Sequence, residues 1–453
     1  MNDSFKEYLA EAIGADNADV ASAAFNTEAS VSVRLNPRKA GASFAGTYVP
    51  WNPLGIILGS RPSFTLDPYL HCGAYYVQDS SSMFVGAVLR NLLQNCNKGK
   101  TLRVLDLCAA PGGKTTDISA SLAESDRPYF LVSNEVMKQR CSVLADNVAL
   151  WGDPRVAVTS ADPSAFAALE GFFDIIVTDV PCSGEGMFRK DERAVQEWSV
   201  DNVALCQARQ RRILADVWPS LAEGGLLIYS TCTFNRYENN LNVKWIAENL
   251  GADILTPSLE GFGPYPGVLV TECGFSLVPG LVPGEGQYCA ALRKTSPAGS
   301  AGRKKAVQRH KEVRKTSATV IPENLFSGNM TIKENESGIF AIPEDIAEDA
   351  ATLTASVRTF MTGCKVGESK GGFIPSADLA LCSWRNPEAF PSAELDLGTA
   401  LAFLHRDSIV LPDAPKGYVL VTYGSLGLGF VKNLGGRCNN LHPMSRRIRM
   451  DIK

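Results

Sequence analysis

The sequence lacks three features that would narrow its class. No segment approaches the roughly 20 consecutive apolar residues that a membrane-spanning helix needs. The 12 cysteines form no CxxC pair, and the four histidines are dispersed, so no metal-ligand spacing is present. The N-terminus is acidic and amphipathic, unlike the basic and then apolar start of a secretory signal. We therefore expect a cytoplasmic protein with no membrane segment, no metal site and no disulfides.

Positive charge is unevenly distributed along the chain. The 453 residues carry a formal net charge of -4, which on its own disfavours a polyanionic partner. Clustered basic residues nevertheless suit phosphate binding, while a solvated linker explains the cluster within 293–315 equally well. The basic residues concerned are Arg293, Lys294, Arg303, Lys304, Lys305, Arg309, Lys311, Arg314 and Lys315, with Arg446, Arg447, Arg449 and Lys453 in the tail.

Hydrophobic patterning predicts an α/β core between two smaller regions. Apolar strand-like runs at 103–108, 129–135, 155–160, 173–180 and 225–232 alternate with helical segments, most clearly 136–151 and 201–221. This alternation predicts a doubly wound, Rossmann-like sheet whose ligand lies beyond the carboxyl ends of its strands. We predict four regions: a small α+β domain at 1–75, the Rossmann-like domain at 76–295, a basic linker at 296–319 and a C-terminal α+β region at 320–453.

A glycine turn after the first strand marks a ligand site. Residues 106–115 are DLCAAPGGKT, and paired glycines at a strand-to-helix turn let a ligand approach the backbone closely. A P-loop would need glycine where Cys108 stands, and a dinucleotide fingerprint would need G-x-G-x-x-G. A nucleoside without pyrophosphate fits better, which favours S-adenosylmethionine, with an NAD-type ligand second.

Acidic residues follow successive strands of the predicted sheet. Glu135 ends the second strand about 20 residues after the glycine turn, where a carboxylate can accept both ribose hydroxyls. Asp162 follows the third strand and suits the adenine amino group, and Asp179 ends the fourth. Each alone is more often a helix cap or a solvated loop acid. Three of them beside the glycine turn point to a nucleoside site.

Two cysteines stand at the same predicted edge of the sheet. Cys182 follows the fourth strand and Cys232 ends the fifth. A lone buried cysteine is ordinarily a small hydrophobic residue, but two in polar turns at adjacent strand ends indicate thiol chemistry. A thiolate that adds to carbon 6 of cytosine makes carbon 5 nucleophilic enough to take a sulfonium methyl group. We assign Cys232 as the nucleophile, Cys182 to breakdown of the adduct, and Asp179 to hydrogen bonding at nitrogen 3 of the base.

Several segments match one family of enzymes. Because of these segments, the chain resembles the Sun-type RNA (cytosine-5)-methyltransferases. The segment SGEGMFRKD is similar to the corresponding segment of the RsmF-like branch of bacterial ribosomal RNA methyltransferases. The hallmark segments are LDLCAAPGGKT (105–115), DVPCSGEGMFRKD (179–191) and YSTCTF (229–234); SVRLNPRK (32–39), GAYYVQDSSSM (73–83) and the ending at 428–449 resemble N-terminal and accessory elements of that branch.

The resemblance implies roles for individual residues. Cys232, in the TC motif, is the implied nucleophile, and Cys182, in the PC motif, promotes product release. The C-terminal region is implied to bind RNA, with small-subunit ribosomal RNA as substrate and transfer RNA second. One departure is Gln287, which replaces a family aromatic residue and puts only local packing in doubt. The residues implied to bind S-adenosylmethionine are Cys108, Ala109, Ala110, Pro111, Gly112, Gly113, Lys114, Glu135, Asp162 and Asp179.

The RNA contacts and two rival functions remain open at this stage. A cytosine inside a duplex hides carbon 6, so the target must be unpaired or flipped out. Methylation of an exocyclic amine would need no cysteine nucleophile, and a non-catalytic assembly factor would bind RNA without transferring methyl groups. Monomer is the default expectation. The candidate RNA contacts, any one of which is more often a plain surface charge, are Arg34, Arg38, Lys39, Arg189, Lys190, Lys432 and Arg437.

Overall fold

The N-terminal region pairs two helices with a small antiparallel sheet. The computed structural model describes residues 3–94, 99–255, 265–297 and 321–452. The first helix is amphipathic, and its residues Phe5, Leu9 and Ile13, spaced four apart, are buried along one face. The sheet order is β2-β3-β1-β4. The elements are α1 (Asp3–Ile13), α2 (Ala15–Ala24), β1 (Val31–Leu35), β2 (Gly46–Val49), β3 (Asn52–Leu58), α3 (Pro68–His71) and β4 (Tyr75–Val77).

The central region confirms the predicted α/β sheet. Five parallel strands run in the order β7-β6-β5-β8-β9, and antiparallel β13, β12 and β11 continue the sheet beyond β9. The elements are α4 (Phe84–Gln94), β5 (Leu102–Asp106), α5 (Gly113–Glu124), β6 (Tyr129–Asn134), α6 (Lys138–Trp151), β7 (Val156–Thr159), β8 (Phe173–Asp179), α7 (Glu192–Glu197), α8 (Val200–Val217), β9 (Leu221–Thr231), α9 (Asn240–Ile246), β10 (Ala252–Ile254), β11 (Leu269–Val270), β12 (Phe275–Leu277) and β13 (Gln287–Lys294).

Both faces of this sheet are buried, which explains the unbroken apolar strands. Val104 and Ile175 face a core shared with α4, α5 and α6, whereas Leu105 and Ile176, one residue later, face a core shared with α8 and α9. The chain builds β5, β6 and β7 outward in one direction and then returns to β8 and β9 on the other side. The topological switch point, at which the direction of strand addition reverses, therefore lies between β5 and β8, and a ligand site is expected there.

Two details differ from the predicted elements. The helix expected at 201–221 ends at Val217 and continues only as the 3-10 turn Trp218–Ser220, because Pro219 has no backbone N–H to donate to the α-helical ladder, and Leu221 already belongs to β9. After β7, where helical periodicity predicted a helix, the structure has only the short 3-10 turn Pro163–Ala168.

The C-terminal region contains two further four-stranded sheets, of order β14-β15-β17-β18 and β19-β20-β21-β22. Across the described ranges, no helix is long and apolar enough to cross a membrane. The elements are β14 (Met330–Asn335), β15 (Gly338–Pro343), α10 (Ala347–Ser356), β16 (Thr359–Thr362), β17 (Cys364–Ser369), β18 (Phe373–Pro375), α11 (Ala377–Leu381), β19 (Ser392–Glu394), α12 (Leu397–His405), β20 (Gly417–Tyr423), β21 (Leu426–Asn433) and β22 (Cys438–Asn440).

One C-terminal strand joins the central sheet. β16 pairs antiparallel with β7, with Thr359 opposite Thr159, and so covers an edge that would otherwise be open. Leu353 of α10 packs into the core beneath the same sheet. The C-terminal region therefore contributes a strand and core side chains to the central region.

Candidate active site

The glycine turn lies at the carboxyl end of β5. Gly112 has a φ of 114°, a conformation that L side chains rarely adopt, and α5 begins at the next residue. The backbone N–H of Ala109 donates to the carbonyl of Asn134 at 2.9 Å, which ties the turn to the end of β6. All seven predicted turn residues, Cys108, Ala109, Ala110, Pro111, Gly112, Gly113 and Lys114, therefore stand at the switch point.

The ribose-binding candidate Glu135 is buried just beyond β6. Its Oε1 accepts the backbone N–H of Met137 at 2.9 Å, and its Oε2 lies 3.4 Å from Nη1 of Arg140. Arg140 also donates to the carbonyl of Ala110 at 2.8 Å. One guanidinium thus links the glycine turn to the carboxylate, a link that the sequence analysis did not predict.

Asp162 makes the contacts of an ordinary helix cap. Its Oδ1 accepts the backbone N–H and the hydroxyl of Ser164, at 3.1 and 2.7 Å, and these hydrogen bonds lower the pKa of the carboxyl group. Arg212 lies 3.8 Å from its Oδ2. The residue follows β7 at the expected edge of the sheet, and its role toward adenine stays a prediction.

Asp106, the last residue of β5, provides an acceptor that the sequence analysis missed. Its Oδ2 accepts the Thr115 hydroxyl at 2.7 Å, while the buried Oδ1 has no hydrogen-bond partner among the described residues. Burial raises the pKa of Asp106 to about 7. A buried acceptor that no protein group satisfies suits a cationic ligand, and S-adenosylmethionine carries an ammonium group. The residues present therefore fit that cofactor.

Lys114 and Asp179 form an ion pair between the turn and the end of β8. Nζ of Lys114 lies 2.9 Å from Oδ2 of Asp179, whose Oδ1 accepts the Ser230 hydroxyl at 2.9 Å. Burial would lower the pKa of Lys114, but the Asp179 carboxylate more than compensates and raises it. The nearby Cys232 sulfur adds to this rise in the pKa of Lys114.

The two predicted thiols lie side by side at the ends of β8 and β9. Sγ of Cys182 is 3.2 Å from Sγ of Cys232, although 50 residues separate them in sequence. The hydrogen bond to Cys232, together with burial, raises the pKa of Cys182 well above its ordinary value. Cys182 therefore keeps its proton and can share it with its neighbour. The structure brings together every element of the thiol site that the sequence predicted.

Three of the predicted RNA contacts belong to the fold instead, and the prediction was wrong for them. Arg34 is fully buried, and the Lys39 amino group donates to the carbonyls of Cys72 and Leu150. Arg38 pairs with the buried Asp153 at 3.0 Å. These side chains join the N-terminal sheet to the central region, and sequence patterning did not distinguish buried cations from surface ones.

The other basic candidates divide into buried and exposed groups. Arg189 forms a buried pair with Glu285 at 2.9 Å, so it too is structural, and Lys190 lies 3.2 Å from Asp79. Lys432 and Arg437 are exposed and stay candidates.

Some residues of the two basic clusters are buried or ion-paired and do not form a surface for RNA. Lys294 is buried against Trp218, and Arg446 pairs with Asp146 and Asp378. Residues 298–315 and 453, which contain most of the basic run and the last lysine, lie outside the described residues.

Comparison with known proteins identifies the family of this chain. The family model "16S rRNA methyltransferase RsmB/F" matches residues 92–291, the N-terminal domain of 16S rRNA methyltransferase RsmF matches 1–80, and the methyltransferase RsmF PUA domain matches 390–448. Ribosomal RNA small subunit methyltransferase F of Cronobacter sakazakii is 31% identical over 419 residues, covering 88% of this chain and 84% of the relative. The chain belongs to the ribosomal RNA small subunit methyltransferase F family.

Other relatives agree with this assignment. The Salmonella typhi protein of the same name is 32% identical over 387 residues, covering 82% of this chain and 78% of the relative. Among solved structures, a methyltransferase homolog protein from Pyrococcus horikoshii has a TM-score of 0.51 at 22% identity, covering 65% of this chain and all of the other, and NSun6 from the same organism has 0.53 at 17%, covering 65% and 98%. These structural matches show the fold alone.

Family membership confirms the predicted class of enzyme. The chain is an S-adenosylmethionine-dependent RNA methyltransferase with an RsmF N-terminal domain and a PUA-type RNA-binding domain. In the part of the chain that the structure describes, no group of three or more His, Cys, Asp or Glu side chains could hold a metal ion.

Proposed function

We propose that this enzyme methylates carbon 5 of a cytosine in small-subunit ribosomal RNA through a covalent bond between Cys232 and carbon 6. The 3.2 Å approach of the Cys182 and Cys232 sulfurs, next to the Lys114–Asp179 pair, carries this proposal. A transfer to an exocyclic amine would have no use for two thiols at the switch point. The names of the RsmF relatives favour ribosomal over transfer RNA.

The side chains divide the chemistry between them. S-adenosylmethionine supplies the electrophilic methyl group when it is bound. The Cys232 thiolate adds to carbon 6, and Lys114 stabilises the negative charge of that sulfur before the bond forms. Asp179 orients the base at nitrogen 3 and favours its protonated form. After the transfer, a water molecule takes the carbon 5 proton, the electron pair of that C–H bond re-forms the carbon 5–carbon 6 double bond and expels Cys232 as a thiolate, and the nearby Cys182 thiol donates a hydrogen bond to the departing sulfur.

The proposed cofactor contacts use the edge formed by β5, β6 and β7. The turn from Cys108 to Gly113 would face the methionine part, with its ammonium group at Asp106, and Glu135 would accept the ribose hydroxyls. Asp162 is proposed for the adenine amino group. A monomer remains the expected working unit.

Two cysteine variants test the proposal. Cys232→Ala should abolish 5-methylcytosine formation in small-subunit ribosomal RNA, measured by bisulfite sequencing, and should leave S-adenosylmethionine binding unchanged. Cys182→Ala should accumulate an RNA–protein adduct that survives denaturing electrophoresis. Cys206→Ala, a buried thiol on α8, is the matched control and should stay active. Methyl transfer by Cys232→Ala would defeat the thiol mechanism, and modification of transfer RNA alone would defeat the substrate assignment.

A further inference from the structure

Two buried glutamates connect the loops that carry the thiols, each by hydrogen bonds to the other loop. Glu185 belongs to the loop after Cys182, and Glu238 belongs to the loop after Cys232. Their side chains are 1% and 0% exposed, an unusual position for carboxylates, which are rarely fully buried without partners. Neither is within salt-bridge distance of a cation among the described residues, so hydrogen bonds alone must compensate their burial.

Glu185 receives four hydrogen bonds from outside its own loop. Its Oε2 accepts the backbone N–H groups of Phe234 and Asn235 at 2.7 and 3.0 Å, and these residues stand two and three positions after Cys232. Its Oε1 accepts the Asn235 side-chain amide at 2.9 Å and the Trp198 indole N–H at 2.8 Å. The Cys232 loop is thus anchored on a residue of the Cys182 loop.

Glu238 makes the reciprocal connection. Its Oε2 accepts the backbone N–H of Ser183, the residue after Cys182, at 3.0 Å, and the Gln210 amide at 2.7 Å. Its Oε1 accepts the Asn235 amide at 2.8 Å, so one asparagine bridges both carboxylates. Each thiol loop is therefore held by a carboxylate of the other.

The backbones of the two loops also touch. The N–H of Gly186 donates to the carbonyl of Cys232 at 2.7 Å, and a Cβ on Gly186 would lie only 2.7 Å from that carbonyl oxygen. Aromatic rings of the N-terminal helix cover the outside, since Phe5 lies 5.4 Å from Trp198 and 5.0 Å from Phe188, ring centre to ring centre. This cover limits the access of water to the hydrogen bonds beneath it.

We infer that Glu185, Asn235 and Glu238 form a reciprocal clasp that sets the distance between the Cys182 and Cys232 sulfurs. They are positioning residues, because they act on the backbone that follows each thiol and not on the substrate. The clasp as a geometric device stands on the contacts above, and its importance for methyl transfer rests on the proposed function.

Glu185→Gln is the sharpest test because it preserves shape and removes the acceptor. Each carboxylate oxygen receives two N–H groups, and an amide can offer an oxygen at only one of the two positions. Its NH₂ group must then face two donors. Glu192→Gln, at an exposed glutamate on α7, is the matched control.

Three measurements separate positioning from general damage. Single-turnover methyl transfer by Glu185→Gln should fall by about 100-fold, the loss that a misplacement on the order of 1 Å can cause. Bridging of the two thiols by dibromobimane, followed as the crosslinked Cys182–Cys232 peptide, should slow by about tenfold for the same reason. Affinity for S-adenosylmethionine should stay within about twofold, since the clasp does not touch the glycine turn.

A milder variant covers the case in which Glu185→Gln fails to fold. Trp198→Phe removes one of the four hydrogen bonds and keeps the aromatic packing, so crosslinking and transfer should each fall by up to about tenfold. Wild-type crosslinking in both variants, or in the folded one, would overturn the clasp. Slower crosslinking together with an active Cys232→Ala enzyme would keep the clasp and reject the proposed function instead.

Discussion

The two halves of the active site are held in place by side chains of opposite charge. In the cofactor half, at the ends of β5, β6 and β7, the cations Arg34 and Arg140 donate to backbone carbonyls. In the thiol half, at the ends of β8 and β9, the anions Glu185 and Glu238 accept from backbone N–H groups. Buried polar groups of the main chain must find partners. Each half therefore uses cations where its backbone presents carbonyls and anions where its backbone presents N–H groups.

The difference follows from how each loop leaves its strand. Arg34 reaches the carbonyls of Gly113 and Thr116 at the start of α5, both at 3.3 Å. The thiol loops instead turn back without entering a long helix, which leaves N–H groups such as those of Ser183 and Phe234 pointing inward. A carboxylate is the side chain that satisfies two such donors at once.

The largest expected effect is a loss of stability caused by Arg34→Met in the cofactor half. Arg34 is fully buried, donates to Gln78 at 2.8 Å and lies 3.6 Å from the buried Asp117. Without Arg34, Asp117 keeps only the more distant Arg90, 3.8 Å away, as a cationic partner, so the free energy of unfolding should fall by about 3 kcal/mol, the lower end of the cost of breaking a buried pair. Chemical denaturation measures this change.

Lys432→Met, at an exposed cation of the PUA-type domain, provides the control and should change stability by less than about 0.5 kcal/mol. At a temperature where Arg34→Met stays folded, the crosslinking rate of Cys182 and Cys232 should match the wild type. Slower crosslinking would show that the halves are coupled and would break the comparison.

Arg34 also shows how far the sequence could lead. The order of the strands along the chain, the glycine turn and the thiols at strand ends follow from local patterns and lie where those patterns predict, apart from the missing helix after β7 and the earlier end of α8. Whether a cation such as Arg34 faces solvent or another domain depends on tertiary packing, which one short strand does not encode. The pairing of β16 with β7 and the clasp through Glu185 are likewise long-range contacts, and their residues resemble ordinary surface positions in the sequence.

A smaller effect is expected from Arg140→Met, which removes the link between Glu135 and the glycine turn. Freed of that contact, the carboxylate is less well oriented toward the ribose hydroxyls. The dissociation constant for S-adenosylmethionine should rise about tenfold, the value of one charge-assisted hydrogen bond. Isothermal titration calorimetry measures it.

Lys138→Met removes an exposed cation from the same helix and should leave that affinity unchanged. An equal loss in both variants would indicate a general charge effect in place of a specific link. The single-turnover rate at saturating cofactor should stay near the wild-type value in Arg140→Met, because the thiol half is untouched.

The smallest effect compares one carboxyl group from each half. Burial raises the pKa of Asp106 and that of Glu238 to about 7, from ordinary values of 3.8 and 4.5. The folded protein therefore holds protons that the unfolded chain releases. The stability they contribute is complete below about pH 4 and is lost as the pH rises through about 7, at about 1.4 kcal/mol per pH unit for each group.

Saturating S-adenosylmethionine should remove the contribution of Asp106 to this pH dependence and leave that of Glu238. Its ammonium group would stabilise the charged carboxylate, whereas Glu238 faces Glu185 and lies outside the cofactor half. Unfolding free energies measured from pH 5 to 7 should therefore depend less steeply on pH with the cofactor than without it. Asp106→Asn should show the shallower dependence in both conditions, because it lacks the titrating group. Equal slopes for the wild type with and without cofactor would place the ammonium group elsewhere and leave the orphaned oxygen of Asp106 without a ligand.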